Sequence, residues 1–232
     1  MASKYDFMKS RKGTIINRTS RQMEQSVTKA LLKTIEYIEE KFNINLDHVS
    51  DLFLKDIVLE LRERYTDVDF SYKFDKSSMR PDGGILSVVS KDGKKYPILI
   101  TEVKNQGTND ILMAQGKPKQ SKGNAIERLG KNVIGFRTVL LHESIFPFVC
   151  FGDGCDFASD SSILDRVITI SMFGELNKIR VHNEGPNGIF NRGSFYFREK
   201  KWSEKEMFEI MKEVAEKSVY YYFSKYGENC FK

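Results

Sequence analysis

The stretch from Arg80 to Lys104 constrains the fold more than any other part of the chain. Two apolar, β-prone runs, residues 85–89 and 96–103, flank Lys91-Asp92-Gly93-Lys94, and Asp-Gly between such runs is a strong hairpin signal. A turn centred on Asp92 and Gly93 sets Asp82 opposite Val103, about one strand spacing from Glu102. Side chains alternate along a strand, so Glu102 and Lys104 point to one face and Val103 to the other. Two acids and an amine then meet at the open end of the ribbon, a constellation that can seat a divalent metal beside a phosphate and its attacking water.

By spacing alone this is a Pro-Asp followed by Glu-x-Lys, and the triplet arises cheaply. Glu39-Glu40-Lys41 and Glu199-Lys200-Lys201 are two more copies. The first ends a helical pattern and should lie on a solvated face. The second follows the strand-like Ser194-Phe195-Tyr196-Phe197, but no Pro-Asp precedes it. Pro81-Asp82 is the only such pair in the chain. The competing reading of Asp82, Glu102 and Lys104 is a surface ion pair beside a hairpin.

The 232 residues suffice for one well-buried domain spanning 1–232, and nothing approaches the roughly 20 apolar residues of a membrane helix. The N-terminus lacks the apolar core of a signal peptide, so a cytoplasmic protein without membrane contact is expected. Cys150, Cys155 and Cys230 show no zinc-like spacing and read as free thiols. The net charge of +5 is unevenly spread: +6 over residues 1–33, −4 over 34–103, +5 over 104–137 and −2 over 138–232. Two basic segments thus flank the acidic hairpin, which suits a polyanion approaching carboxylates through a metal. Chance clustering on a solvated surface is the plainer alternative.

Residues 1–18 read as a flexible basic arm. Thr19 and Gln22 form a candidate capping box for a helix reaching about Lys41. A second helix is expected after Asp47. Val68, Phe70, Tyr72 and Phe74 alternate with polar residues and predict a strand, and residues 105–122 a long loop. Gly123-Asn124 opens a helix carrying Ile126, Leu129, Val133, Arg137 and Leu140. Its polar start suits the major groove, although an Asn N-cap with an acidic first turn is the plainer reading. Residues 146–151 predict a buried strand beside the hairpin, and 161–173 fit either helix or strand. Ser203 with Glu206 caps a last helix. The expected class is α/β: a mixed β-sheet with an antiparallel catalytic hairpin, sandwiched by helices.

These pieces, in this order, resemble the EcoRI-like type II restriction endonucleases of the PD-(D/E)xK nuclease superfamily. Arg80-Pro81-Asp82-Gly83-Gly84-Ile85 resembles the first acidic block, and Ile98 through Gly107 resembles the second. Gly123-Asn124-Ala125-Ile126-Glu127-Arg128 with Lys131-Asn132 resembles the principal recognition segment. Glu143-Ser144, Phe146-Pro147, Ile163-Leu164-Asp165-Arg166 and Trp202 with residues 207–211 follow in order. The likeness implies a restriction-endonuclease-like fold and a homodimer that cuts both strands of palindromic double-stranded DNA, with a cognate DNA methyltransferase in the host. It implies Mg²⁺ held by Asp82, Glu102 and the Val103 carbonyl, with Lys104 acting on the water. For DNA binding it implies Lys122, Gly123, Asn124, Ala125, Glu127, Arg128 and Arg166, reading an AATT core and leaving 5′ overhangs. His48, His142 and His182 match no role. Gln120-Ser121-Lys122 and Thr169 depart from the pattern, which leaves GAATTC or an altered flank open. A catalytically inactive DNA-binding protein and a structure-selective repair nuclease are the alternatives.

Overall fold

The computed structural model describes residues 7–9, 15–105, 116 and 124–232. Two short strands, β1 (Phe7–Lys9) and β2 (Ile15–Asn17), pair antiparallel and lead into helix α1 (Arg18–Phe42). The remainder of the arm expected over residues 1–18 lies largely outside the described residues. Helix α1 starts at Arg18, so Thr19 lies inside its first turn rather than capping it. There follow β3 (Leu46–Val49), β4 (Leu52–Phe53), α2 (Leu54–Arg64), β5 (Ser78–Met79), β6 (Gly84–Val89) and β7 (Lys95–Asn105). The chain then runs through α3 (Asn124–Val139), β8 (Phe148–Asp153), α4 (Ile163–Ile170), β9 (Ser194–Arg198) and α5 (Glu204–Tyr226).

A five-stranded sheet in the order β3-β6-β7-β8-β9 carries the molecule. β3, β6 and β7 pair antiparallel with one another, whereas β7, β8 and β9 run parallel. β7 is therefore hydrogen-bonded on both sides, once in each sense. Alternation sorts its side chains: Leu99 and Val103 face a core built with α1 and α5, while Ile100 faces a second core built with α2, α3 and α4. β8 divides in the same way, Val149 and Phe151 to the first core, Phe148 and Cys150 to the second. The hairpin register shifts between Leu86 and Ser87, which leaves Ile98 as the extra residue of a bulge. The bulge accounts for Ile98 and Leu99 both joining the first core although they are adjacent.

Two sequence expectations are corrected. Residues 46–49 are a strand on β6, not the start of a helix, and the helix begins only at Leu54. β6 needs a partner along its outer edge, a requirement that no local pattern of residues 46–49 announces. Residues 68–74 form no strand. Their alternation lacks a partner, and Val68 and Phe74 stand 46% and 72% exposed. The segment that fits either helix or strand, 161–173, contains α4, preceded by Ser162 without a side-chain cap bond. The Ser203–Glu206 capping box is present in full, and Cys150, Cys155 and Cys230 are free. Among the described residues no helix is long and apolar enough to cross a membrane.

Candidate active site

The turn before β6 is held in place by close packing. A Cβ on Gly83 would lie 2.8 Å from Thr101 Cβ. Gly84 has φ +77, and a Cβ there would meet His48 Nε2 at 2.3 Å. Only glycine fits both demands at Gly84, the left-handed backbone and the missing side chain. Gly83 N–H donates to Thr101 O at 2.9 Å, and His48 Nε2 lies 3.0 Å from Gly83 O. His48, which matches no motif, thus braces the turn from β3. Asp82 follows from this bracing: the turn hands it to the end of β7, where Val103 N–H donates to its Oδ2 at 3.2 Å.

Glu102 and Lys104 share the β7 face opposite to Val103, as alternation requires. Lys104 Nζ donates to Glu102 Oε1 in a very short hydrogen bond, to Val103 O at 2.9 Å and to Asp82 Oδ2 at 3.3 Å. One cationic nitrogen is therefore surrounded by two carboxylate oxygens and a backbone carbonyl. Burial is graded across the three side chains: Glu102 is 3% exposed, Lys104 14% and Asp82 32%. Asn132, from the third turn of α3, reaches Glu102 Oε1 at 3.4 Å. Cys150 pairs with Glu102 in register on β8 and is fully buried beside it.

The electrostatics follow this geometry. Burial pushes the Glu102 carboxyl above its ordinary range; Lys104 opposes the rise and Asp82 adds to it. Burial works against the Lys104 charge, but the Glu102 and Asp82 carboxylates outweigh it, and the ammonium is held more tightly protonated than usual. Burial also drives the Cys150 thiol well up, which makes it a neutral packing group.

Among the described residues no three His, Cys, Asp or Glu side chains cluster to hold a metal. A cation here would rely on Asp82, Glu102, the Val103 carbonyl, water and a substrate phosphate. Hard oxygens with few protein ligands are the donor set of Mg²⁺ rather than of zinc or a soft metal.

The remaining expected residues that are described belong to two other helices. Asn124 and Ala125 begin α3, but their side chains, like Lys122 and Gly123 altogether, lie outside the described residues. Glu127 and Arg128 are exposed on the first two turns of α3, while Ile126 and Leu129 on either side of them are buried. Arg166 is exposed on α4, which touches α3 where a Cβ on Gly130 would come within 3.4 Å of Ile170 Cδ1. Of the two decoy triplets, Glu39-Glu40-Lys41 ends α1 and Glu199-Lys200-Lys201 follows β9, each exposed.

A family model described as "Restriction endonuclease EcoRI" matches residues 10–229. The chain belongs to the EcoRI restriction endonuclease family. It is 34% identical over 179 residues to the type II restriction enzyme RsrI of Cereibacter sphaeroides and 29% identical over 179 residues to the type II restriction enzyme EcoRI of Escherichia coli. Each alignment covers 62% of this chain and 64% of the relative, so the chain matches less than two thirds of the length of either enzyme. Membership accounts for the mixed sheet and the helices on both faces. Sequence reasoning misses the wall that faces Asp82: Arg21, Glu24, Gln25, Thr28 and Lys29 of α1 line a cleft with it. No local signal joins residues so distant in the chain.

Proposed function

We propose that the chain is a type II site-specific deoxyribonuclease, dependent on Mg²⁺, that cuts both strands of palindromic DNA. The observation that carries this reading is the convergence of Asp82 Oδ2, Glu102 Oε1 and Val103 O on one cationic point at the end of β7. Asp82, Glu102 and the Val103 carbonyl would hold the ion. Bound there, Mg²⁺ supplies Lewis-acid polarisation of the phosphate and a more acidic water. Lys104 orients that water and offsets the negative charge that grows on the phosphoryl oxygens. Attack in line forms the bond from water oxygen to phosphorus and breaks the bond to O3′. The products are a 5′-phosphate and a 3′-hydroxyl.

Recognition falls to the start of α3 and to α4. Asn124 and Ala125 would contact the inner adenines and thymines, with Glu127, Arg128 and Arg166 beside them and Lys122 and Gly123 leading in. A bidentate Asn on adenine and Arg on guanine or phosphate are the pairings these side chains favour. This reading gives an AATT core with 5′ overhangs; Lys122 and its neighbours leave the outer pair as GAATTC or a relaxed relative of it. A homodimer matches a palindrome by symmetry. The protein would act in the cytoplasm beside a cognate DNA methyltransferase.

Digestion of phage DNA with and without Mg²⁺ tests the reading. Discrete fragments whose sequenced ends share one palindrome with 5′ extensions are expected. A smear, or a mobility shift without cleavage, would overturn it.

A further inference from the structure

The catalytic reading employs one wall of the cleft at Asp82 and leaves the other unexplained. That other wall is helical. Arg21, Gln25, Thr28 and Lys29 recur at helical spacing on one face of α1, and with Glu24 and Asp82 they line a cleft of about 570 Å³. Lys201, in the turn after β9, extends the wall by donating to Gln22 Oε1 at 3.3 Å. Arg21, Lys29 and Lys201 are all exposed.

Two features distinguish this wall from an ordinary solvated helix face. Its cations are available: among the described residues none of Arg21, Lys29 and Lys201 is closed into an ion pair, whereas Lys33, one turn further on, is taken by Glu204 at 2.6 Å. Its charges also act on the catalytic wall. Burial and the Asp82 charge push the Glu24 carboxyl up, and Arg21 and Lys104 pull it back, so both walls share one field.

Length decides what such a wall can hold. Arg21 and Lys29 are eight residues apart, about 12 Å along the helix, against about 3.4 Å of duplex axis per phosphate on one strand. They are too far apart to clamp a single phosphate and suit a run of successive ones. We infer that the N-terminal turns of α1, with Lys201, form a rail for the phosphates of the strand being cut. On this assignment Arg21, Lys29 and Lys201 hold the backbone so that one diester lies against Asp82. The Gln25 amide between them adds a hydrogen bond without reading sequence.

The assignment rests on the nuclease reading, and the test separates the two. Binding of the full chain to a GAATTC duplex is measured in Ca²⁺ by anisotropy across a KCl series, for the wild type and for the triple variant Arg21→Ala, Lys29→Ala, Lys201→Ala. Every phosphate left without its cation should reduce the slope of log K against log salt by about 0.9, so a drop of roughly 2 to 3 per protomer, or about 5 for a dimer on its duplex, is expected. Arg21→Lys, which keeps the charge, should retain the slope. Lys217→Ala, whose side chain pairs with Glu213 at 2.7 Å on α5, should leave it unchanged. An unaltered slope in the triple variant, with its circular dichroism intact and the wild type still cutting in Mg²⁺, rejects the rail and spares the nuclease. A wild type that neither binds with salt dependence nor cuts rejects both.

Discussion

Asp82 and Glu102 carry similar chemistry but different structural burdens, and this separates their mutants. Asp82 is 32% exposed and its loss leaves no buried charge stranded, so Asp82→Asn should abolish cleavage while moving the melting temperature little. Glu102 is buried against the Lys104 ammonium. Removing it takes away the nearest counter-charge of the largely buried Lys104, leaving Asp82 at 3.3 Å as its remaining carboxylate, and opens a buried gap beside β8. Glu102→Ala should therefore lose cleavage and stability together, as urea unfolding and a digest of the same preparation would report. Glu143 offers a pH prediction away from the site. Its side chain is 1% exposed and accepts from Tyr221 and Tyr226 at 2.8 Å and from Lys225 at 2.6 Å, with His142 beside it at 3.2 Å. Burial alone would raise its pKa; hydrogen bonds from His142, Lys225, Tyr226 and Tyr221 outweigh that and bring it to about 2 from an ordinary 4.5. A depressed folded pKa gives stability that is complete above 4.5 and lost as the pH falls towards 2. The contribution is on the order of 3 kcal/mol. Unfolding free energy should fall over that window in the wild type, and less steeply in Glu143→Gln.

Helix α5 depends on its first turn. Ser203 Oγ accepts from Glu206 N–H at 3.3 Å, Glu206 accepts in return from Ser203 N–H at 2.9 Å, and Arg198 holds the Glu206 carboxylate at 2.7 Å. Ser203→Ala should cost about 1 kcal/mol in denaturant unfolding with no change in cleavage. That box is readable from Ser203 and Glu206 alone because capping is local chemistry. The β6–β7 hairpin is readable for the same reason, Asp92-Gly93 setting the turn and alternation setting the faces of Glu102 and Lys104. The elements that escape such reading are those defined by a distant partner. Residues 46–49 are a strand because β6 would otherwise lie bare on one side, and residues 68–74 are not because nothing lies beside them. Asn132 and the α1 face at Glu24 stay hidden for the same physical reason: their relation to Asp82 and Glu102 exists only through the packed sheet.

The molecule leaves apolar side chains uncovered near the helices assigned to recognition. Ile134 on α3 and Phe173 just after α4 are 68% and 78% exposed, and each lies within about one turn of the α3–α4 crossing. If two copies meet there, Ile134→Glu with Phe173→Glu should convert a dimer into a monomer in sedimentation and abolish double-strand cutting. A wild type that sediments as a monomer at all concentrations would remove the homodimer from the proposal. The position of β7 has a further consequence. Glu102 and Lys104 sit on the one strand locked antiparallel on one side and parallel on the other, at the boundary between both cores. Such a strand opens only when everything around it opens. Its amide at Ile100, which donates to Pro147 O at 2.8 Å in the middle of the sheet, should exchange with deuterium among the slowest in the protein, at a rate set by global unfolding. Heat should then extinguish the chemistry and the tertiary structure at one temperature, with no folded, inert species surviving between them.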